Sequence, residues 1–264
     1  MRDKIEPDPI EDIARRSDLI NRILEGHTSK HELKSVTSIS GSTLNRAIRC
    51  LEDRGIIKNQ NQNDGYTVTS YGRLALGEYE RLVDRFEALA KVKPLLRELG
   101  ADSPVNMEMV QDAEVIMADS PDPRAPLTRL DNLVEGCHSI VALMPIIQSR
   151  FVTRIRENIT QEEVEVDLIM GATQVEHLFA SYGWTREVID HRLLSMHWIR
   201  DTPDFGVVLV DENRVWIGVY DETNSIQGAL LNDTPIAVEW AKETLEESRS
   251  QGDRVRFRGA SSSA

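Results

Sequence analysis

The segment from His27 to Tyr71 constrains the fold most, because it contains two short helical patterns, a tight turn between them and a hairpin pattern after them. Ser29 is placed to cap a first helix that runs to about Thr37, and Glu32 stands where a capping box needs its acidic residue. A turn over residues 38–41 follows. The second helix must therefore begin directly behind this turn.

The second helix of the segment carries apolar residues on one side and polar residues on the other. Either Ser40 or Ser42 can cap it, Gly41 is expected to supply the backbone freedom for the turn, and the helix is expected to run to about Arg54. Three apolar residues recur at the spacing of one buried face: Leu44, Ile48 and Leu51. The opposite face is left free for a ligand.

A hairpin pattern completes the segment. Gly55 ends the second helix, and the apolar runs 56–58 and 66–69 are typical of two strands, which the polar stretch 59–65 joins. Elements in this order predict a winged helix-turn-helix, which places a helix in the major groove of DNA. The predicted DNA-binding residues are Ser42, Thr43, Asn45, Arg46, Arg49 and Lys58. The alternative is a helical bundle with a hairpin that binds only other proteins.

The net charge of −13 argues against a nucleic-acid partner until its distribution is considered. Residues 1–70 hold 11 of the 31 basic residues and 11 of the 44 acidic ones, so the acidic excess lies in the rest of the chain. From Ser42 to Lys58 there are four basic residues and two acidic ones. The predicted DNA-facing helix is therefore locally positive, as contact with phosphates requires.

Lysine is scarce, with 7 Lys against 24 Arg in a chain whose pI is near 5.0. This composition is typical of cytoplasmic proteins from salt-accumulating, halophilic archaea. At about 1 M salt the Debye length is only about 3 Å, so repulsion between DNA and the acidic part of the chain would be screened. We expect DNA binding that depends on direct base contacts more than on the number of charges.

Length and composition exclude several classes of protein. With 264 residues the chain is expected to form two domains, and no apolar run approaches the roughly 20 residues of a transmembrane helix. The acidic start of the chain is unlike a secretory signal, which favours the cytoplasm and no membrane partner. Cys50 and Cys137 are the only cysteines, and we interpret them as ordinary thiols without a disulfide.

A long helix is predicted after the hairpin. Thr69 or Ser70 can cap it, and Pro94 is expected to bend or end it. Its apolar positions alternate steps of four and three: Ala75, Tyr79, Leu82, Phe86 and Leu89. The seam predicts a homodimer that places two DNA-binding helices on successive groove faces, and the alternative is packing against the chain's own domains.

The second half of the chain alternates apolar runs with amphipathic helices, which predicts parallel strands with crossover helices. A weakly amphipathic piece, 107–117, could be strand or helix, and 120–126 has the composition of a loop. The predicted strands are 140–144, 164–170, 196–200, 206–210, 215–220 and 227–231. The predicted helices are 150–158 and 175–182, followed by a last one that Thr234 and Pro235 open.

These patterns predict an α+β chain of four parts. Residues 1–71 form a winged helix-turn-helix DNA-binding domain, and residues 72–99 form the linker and dimerisation helix. Residues 100–250 form an α/β sensor domain. Residues 251–264 are expected to be a disordered tail, although its Arg254, Arg256 and Arg258 could touch DNA.

The chain also resembles known archaeal regulators. The run SKHELKSVTSISGSTLNRAIRCLEDRGIIK, with GYTVTSYGRLAL after it, is similar to the winged-helix domain of archaeal regulators related to the arsenic-repressor superfamily. Beyond Val134, the runs VEVDLIMG, DFGVVLVDENRVWIGVYDE and GALLNDTPIAVEWAKETLEESR resemble the sensor domain of the archaeal filamentation and methanogenesis regulatory protein family. The resemblance implies a transcription regulator.

Catalytic signals are weak in the second half. Its order of sheet, crossovers and hairpin resembles phospholipase-D-like halves, whose chemistry needs a His-x-Lys pair, and the chain contains none. The place where that pair would occur reads Pro203-Asp204-Phe205-Gly206, so we expect a catalytically empty scaffold and no enzyme. The His and Cys residues match no established metal-ligand spacing, and we expect no metal and no cofactor. The potential metal ligands in this half are Cys137, His138, Glu176, His177, Asp190, His191 and His197.

An unknown small-molecule effector is the better hypothesis for this half. Ligands of open sheets favour the crevice outside the carboxyl ends of the strands. The predicted effector-binding residues are Thr173, Arg200 and Tyr220, and Trp184, Trp198 or Trp216 could form an apolar wall. We therefore expect a transcription regulator that binds double-stranded DNA and responds to this effector. A non-catalytic adaptor, a metal-responsive regulator and an enzyme with a DNA-targeting module are the alternatives.

Overall fold

The computed structural model of the chain describes residues 9–60, 65–100, 103–119, 121–161, 164–183 and 191–255. Two compact units are present, Met1–Glu87 and Ala88–Ala264. Their boundary lies within one long helix. No helix in the described part of the chain is long and apolar enough to cross a bilayer.

The first unit contains short helices followed by a two-stranded antiparallel hairpin. In chain order these are α1 (Pro9–Ala14), α2 (Ser17–Leu24), α3 (Lys30–Val36), α4 (Gly41–Asp53), β1 (Ile57–Gln60), β2 (Gly65–Val68) and α5 (Ser70–Leu96). The predicted capping box of α3 is confirmed, since Ser29 Oγ accepts from the Glu32 backbone N–H while the Glu32 carboxylate accepts from the Ser29 N–H. Leu44, Ile48 and Leu51 are buried, as predicted.

Two local predictions for the first unit need correction. From the sequence one helix is expected to begin at Pro9, with Ile13, Ile20, Ile23 and Leu24 on its apolar side. The chain forms two helices there, α1 and α2, which turn residues 15–16 separate. Gly41 supplies no special backbone freedom, because it is the first residue of α4 and its φ is not positive. The turn needs only the extended conformation of Ser40, with φ −66° and ψ 152°. Gly55 does adopt a φ of +67°, which explains why α4 ends there.

The long helix α5 also differs from its prediction. It continues through Pro94 to Leu96, so this proline lies in the last turn, where it does not end the helix. The predicted seam is divided, because Ala75 and Tyr79 pack on the first unit's core and Leu89 packs on a core of the second unit. Only two seam residues are largely uncovered: Leu82 is 39 % exposed and Phe86 is 64 % exposed.

The second unit is a mixed eight-stranded sheet with helices on both faces. Its elements are α6 (Met107–Val110), β3 (Glu114–Met117), α7 (Ala125–Leu133), β4 (Ser139–Met144), α8 (Ser149–Gln161), β5 (Glu165–Gly171), α9 (Ala172–Ser181), β6 (Leu194–Ile199), β7 (Phe205–Val210), β8 (Arg214–Tyr220), β9 (Ile226–Asn232), α10 (Pro235–Ser250) and β10 (Asp253–Arg254). The spatial order is β10-β6-β5-β4-β7-β8-β9-β3. Strands β4, β5 and β6 are parallel, which confirms the crossover prediction.

The two faces of the sheet have separate cores. Helices α7, α8 and α9 cover one face, and α6, α10 and the end of α5 cover the other. Asp211 and Glu212 both have positive φ, 49° and 54°, at the turn between β7 and β8, as a tight hairpin requires. Asp211 also accepts hydrogen bonds from the backbone N–H groups of His138 and Ser139, at 2.7 and 3.0 Å, so this turn holds the start of β4.

Other predictions for the second half meet a mixed outcome. The ambiguous piece 107–117 contains both a helix, α6, and a strand, β3. The loop predicted over 120–126 already contains the start of α7, because Pro126 suits a helical first turn. Within the predicted tail, Asp253 and Arg254 form a short strand, since β6 offers them a free antiparallel edge. Residues 256–264, with Arg256 and Arg258, lie outside the described residues.

Candidate functional site

A row of polar side chains lies along the outer side of α4, and we call it, together with Lys58 on β1, the α4 surface. All its members are exposed: Ser42, Thr43, Asn45, Arg46, Arg49 and Lys58. Because a helix advances about 100° per residue, positions 42, 45, 46 and 49 fall on one side and the buried positions 44, 48 and 51 on the other. Four of the sequence-predicted DNA-binding residues, Ser42, Asn45, Arg46 and Arg49, therefore share one accessible face of α4.

The first turn of α4 is fixed by a side-chain cap. Ser40 Oγ accepts from the Thr43 backbone N–H at 3.3 Å and lies 3.0 Å from Ser42 Oγ and 2.9 Å from Thr43 Oγ1. These hydroxyls are therefore partly engaged within the turn. Arg46 and Arg49 form neither an ion pair nor a side-chain hydrogen bond with the residues that the structure describes. Their guanidinium groups are available to a ligand.

Beside α4 the structure adds a feature that the sequence reasoning missed. A groove of about 620 Å³ lies between α4, α2 and the end of α3, and Thr43 and Arg46 line it. Its other charged lining residues are Arg15, Arg16, Arg22 and Asp18. The groove is therefore predominantly basic. The arginine pair at 15–16 was the available signal, but nothing in the sequence placed it next to α4.

An ion-pair cluster attaches α4 to α1. The Asp12 carboxylate accepts from Arg16 at 2.6 Å and from Arg54 Nε at 3.1 Å, and Cys50 Sγ lies 3.4 Å from it. Desolvation raises the pKa of Asp12, but the Cys50 hydrogen bond and the two arginines outweigh it and lower the pKa overall. Desolvation and Asp12 raise the pKa of the Cys50 thiol. Cys50 is therefore a thiol with a structural contact, which disfavours redox chemistry at this position.

The second unit contains a cleft of about 400 Å³, which we call the Tyr220 cleft. Strands β4, β5 and β6 are parallel. Strand β8 is antiparallel to β7, and β7 is antiparallel to β4, so β8 runs in the same direction as β4. The carboxyl ends of β4, β5, β6 and β8 therefore lie at the same end of the sheet, as expected, and Tyr220 lies at this end and lines the cleft. The other walls are α7 with the residue before it, the segment after β4 and the first turn of α8.

The Tyr220 hydroxyl is a buried polar group without a described partner. The residue is 3 % exposed, and its Oη has no hydrogen-bond acceptor or donor within the described residues. Burial also raises the pKa of Tyr220 strongly, so the phenol keeps its proton at neutral pH. A buried hydroxyl left unpaired costs about 1–3 kcal/mol. This hydroxyl can therefore donate to a group bound in the cleft.

Of the three predicted effector-binding residues, only Tyr220 lines the cleft. Thr173 and Arg200 are exposed and lie outside its lining. Trp216 is fully buried and donates its indole N–H to the Pro126 carbonyl at 3.1 Å, so it supports α7 from behind instead of forming a wall. Trp198 is half-buried against the core on the sheet face that α7, α8 and α9 cover, and Trp184 lies outside the described residues.

The His and Cys residues of the second half do not converge. Cys137 is buried while the His138 side chain is 95 % exposed, and no group of three potential metal ligands exists in the described ranges. Asp190 lies outside those ranges. His197 Nδ1 lies 3.3 Å from Asp167, which also pairs with Arg249 at 2.8 Å. This cluster joins β5, β6 and α10 and has a structural explanation.

Comparisons with known proteins match both parts of the chain. Residues 123–251 match the family model described as the middle domain of the methanogenesis regulatory protein FilR1, which supports a transcription regulator. Residues 8–91 match the model described as the HVO_A0261 N-terminal domain. A comparison with curated proteins gives no match.

Several solved structures are similar to the chain at low identity. TrmBL2, an archaeal chromatin protein, is 16 % identical with a TM-score of 0.45, over 93 % of this chain and 98 % of its own. NucT from Helicobacter pylori is 12 % identical with a TM-score of 0.42, over 55 % and 99 % of the two chains. Nuc from Salmonella typhimurium, a phospholipase D family member, is 15 % identical with a TM-score of 0.41, over 55 % and 99 %. All three TM-scores lie below 0.5, so none of these likenesses supports a function here.

Proposed function

We propose that the chain is a sequence-specific, DNA-binding transcription regulator whose α4 enters the major groove. The observation that carries this proposal is the α4 surface, where every candidate DNA-binding side chain is exposed and the arginines are unpaired in the described structure. The element order from α3 to β2 is that of a winged helix-turn-helix, with β1 and β2 as the wing. The match of residues 123–251 to a regulatory-protein domain agrees with it.

The side chains of the α4 surface suit two roles. Arg46 and Arg49 can each bind a guanine edge in a bidentate manner, and Asn45 can pair with an adenine. Ser42 and Thr43 lie in the capped first turn, where hydroxyls and backbone N–H groups reach phosphates. Lys58 on β1 would contact the DNA phosphates beside the groove. Specificity would then reside in Asn45, Arg46 and Arg49.

A homodimer is part of the proposal. Leu82 and Phe86 lie on α5 with much of their apolar surface uncovered, and Leu74 is 73 % exposed on the same helix. Exposed apolar side chains along one helix favour pairing with a second copy. Two copies would present two α4 helices to successive groove faces.

The second unit is proposed to sense a small-molecule effector, and the Tyr220 cleft is the candidate site. An effector that binds two arrangements of the dimer with different affinities would shift their populations and change operator binding. The acidic surface and arginine-rich composition suit a halophilic archaeal cytoplasm. Operator binding there would depend on direct contacts, because counterion release contributes little at high salt.

The test begins with the full chain selecting its preferred sequence from a pool of random duplexes. Arg46→Ala and Arg49→Ala should each weaken binding to that sequence by about 1–3 kcal/mol, which is roughly 5-fold to 150-fold. Arg81→Ala is the matched control, since Arg81 is an exposed arginine on α5 that pairs with Glu78. Normal affinity in both α4 variants would contradict the proposal. Failure of the wild-type chain to enrich any sequence would favour a protein-binding adaptor.

Salt dependence separates base contacts from phosphate contacts in the same variants. If Lys58 contacts a phosphate, Lys58→Ala should weaken all duplexes alike and reduce the salt slope by about one. If Arg46 contacts a base, Arg46→Ala should relax the preference at one position of the selected sequence. The measurement is binding by fluorescence anisotropy across a series of salt concentrations.

A further inference from the structure

The chemistry of the Tyr220 cleft points to a particular class of ligand. Apolar side chains form much of its interior, among them Leu127, Met144 and Phe151. Its volume of about 400 Å³ falls at the small end of the range for ligand sites, which is about 300–1,000 Å³. The cleft therefore suits a small molecule with an apolar part. The polar groups of the cleft determine whether it favours an anionic, a neutral or a cationic ligand.

The first turn of α8 opens onto the cleft. The Gln148 carbonyl accepts from the Val152 N–H at 3.0 Å, so the helical hydrogen bonds begin there and the N–H groups of residues 149–151 have no acceptor within the helix. Residues 148–151 all line the cleft. The helix has 13 residues, and its N-terminus carries the positive end of the helix dipole. Unpaired N–H groups in this position favour an anion.

The Tyr220 hydroxyl is a second and independent observation at the same place. The hydroxyl is buried and has no partner among the described residues, and Tyr220 lines the cleft together with the first turn of α8. The phenol is protonated at neutral pH and burial raises its pKa further, so the hydroxyl can donate to an anionic acceptor. The helix turn and the hydroxyl therefore favour the same charge.

The charged side chains of the lining agree. They are Arg124, Arg150 and Asp131, which leaves a net charge of +1 in a chain of net charge −13. Asp131 is only 17 % exposed and pairs with Arg150 at 2.8 Å, so its carboxylate is already engaged. Desolvation raises the pKa of Asp131 despite Arg150 and Arg154. Arg124 is exposed at the mouth of the cleft and has no ion pair with a described residue.

We propose that the Tyr220 cleft binds a small organic anion, whose carboxylate or phosphate group is held by the α8 N–H groups, Arg124 and the Tyr220 hydroxyl. The apolar part of the ligand packs against Leu127, Met144 and Phe151. The inference rests on the proposed function only in making this anion the effector. The site itself is independent of DNA.

The binding test uses the full chain at constant ionic strength, with calorimetry and tryptophan emission as readouts. The anionic probes are benzoate, hexanoate and phenyl phosphate, and the matched neutral probes are benzamide, hexanamide and benzyl alcohol. At least one anion should bind saturably and at least about tenfold more tightly than its neutral match. Benzoate or hexanoate binding indicates a carboxylate site, and phenyl phosphate binding indicates a phosphate site. Binding of no anion, or equal binding of the neutral matches, would overturn the proposal.

Two variants locate the site. Tyr220→Phe removes one oxygen and should weaken anion binding about tenfold, while the free variant should melt no earlier than wild type, because the lost hydroxyl had no described partner. Arg124→Gln should weaken binding to a similar extent. Arg129→Gln is the control, since Arg129 lies on α7 outside the lining and pairs with Glu114. Unchanged binding in both cleft variants would overturn the site, and so would an equal loss in the control.

A separate measurement distinguishes this inference from the proposed function. Operator affinity is measured with and without the tightest anion. Saturable binding with unchanged operator affinity would support the cleft and contradict its role as the effector site. Operator binding by a chain that binds no anion would support the regulator and contradict the cleft.

Discussion

The α4 surface and the Tyr220 cleft are the two candidate sites of this chain, and they are built in opposite ways. The α4 surface comes from one helix and one adjoining strand, and all its side chains lie between Ser42 and Lys58. The cleft combines residues 124–131, residues 144–151 and Tyr220. A local site follows from helical periodicity, whereas a site made of distant segments follows only from the order of strands in the sheet.

The difference also appears in how each site is supported. The α4 surface depends on one cap and on a small core of its own unit. The cleft depends on contacts across the second unit, such as the bond from Trp216 to Pro126 at 3.1 Å. A substitution that disrupts one site should therefore leave the other site intact.

The largest effect should follow from Leu51→Ala. Leu51 is fully buried in the core beneath α4, and such truncations cost about 2–5 kcal/mol. Operator binding should be lost, and hydrogen exchange of α4 should accelerate. All four tryptophans lie beyond Glu87, so tryptophan emission reports on the second unit alone and should be unchanged. A simultaneous loss of anion binding would show that the two sites do not fail separately.

Two tryptophan substitutions test the cleft in the same way. Trp216→Phe leaves the Pro126 carbonyl without its donor, and Trp240→Phe does the same to Pro104 on the other face of the sheet, each at a cost of about 1–3 kcal/mol. Only Trp216→Phe should weaken anion binding, because it releases α7. Calorimetry on both variants checks this. Equal weakening would mean that the cleft responds to general instability.

Loss of the α4 cap should have a smaller effect. Ser40→Ala removes the acceptor of the Thr43 N–H and should cost about 1 kcal/mol, with fraying of the turn that holds Ser42 and Thr43. Ser29→Ala removes the comparable cap of α3 and is the matched control. Thermal melting should fall in both variants, and operator affinity should fall more in Ser40→Ala. The reverse order would assign DNA contact to α3.

The smallest effect concerns pH. The pKa of Asp12 is lowered in the folded chain, so its ion pairs with Arg16 and Arg54 contribute stability above its unfolded pKa, near 3.8, and lose it as the pH falls through the lower folded value. Asp12→Asn should therefore be less stable at neutral pH, and its stability should fall less in acid. Hydrogen exchange of α4 between pH 3 and 6 measures this. An identical acid dependence in the variant would exclude Asp12 as the group responsible.

Sequence reasoning predicted most elements but only part of the sites. The boundaries of α3 and α4 followed from Ser29, Glu32 and Gly55, whose chemistry is local. Pro94 did not stop the helix at once, because a proline removes only the hydrogen bond of its own nitrogen, and α5 continues for two more residues to Leu96. In the C-terminal half, the alternation of apolar runs with amphipathic helices was enough to predict the parallel strands.

The residues of the Tyr220 cleft could not all be selected from the sequence. The rule about strand ends selected Tyr220, which lines the cleft, but it selected Thr173 and Arg200 equally, and these do not line it. What distinguishes Tyr220 is that α7 and the first turn of α8 line a cleft together with it. Helix α7 begins at Ala125, within a segment whose prolines indicated a loop. Arg124 therefore remained unnoticed until the structure placed it at the cleft.

The shortest strand of the sheet has a consequence for handling the protein. Strand β10 pairs Asp253 with Trp198 and Arg254 with His197, and the Val255 N–H donates to the Met196 carbonyl at 2.8 Å. These few residues cover the outer edge of β6, which would otherwise present unpaired backbone groups to other chains. A chain cut after Ser250 to remove an assumed tail would expose that edge. Such a shortened protein should aggregate more readily, although its two candidate sites would be intact.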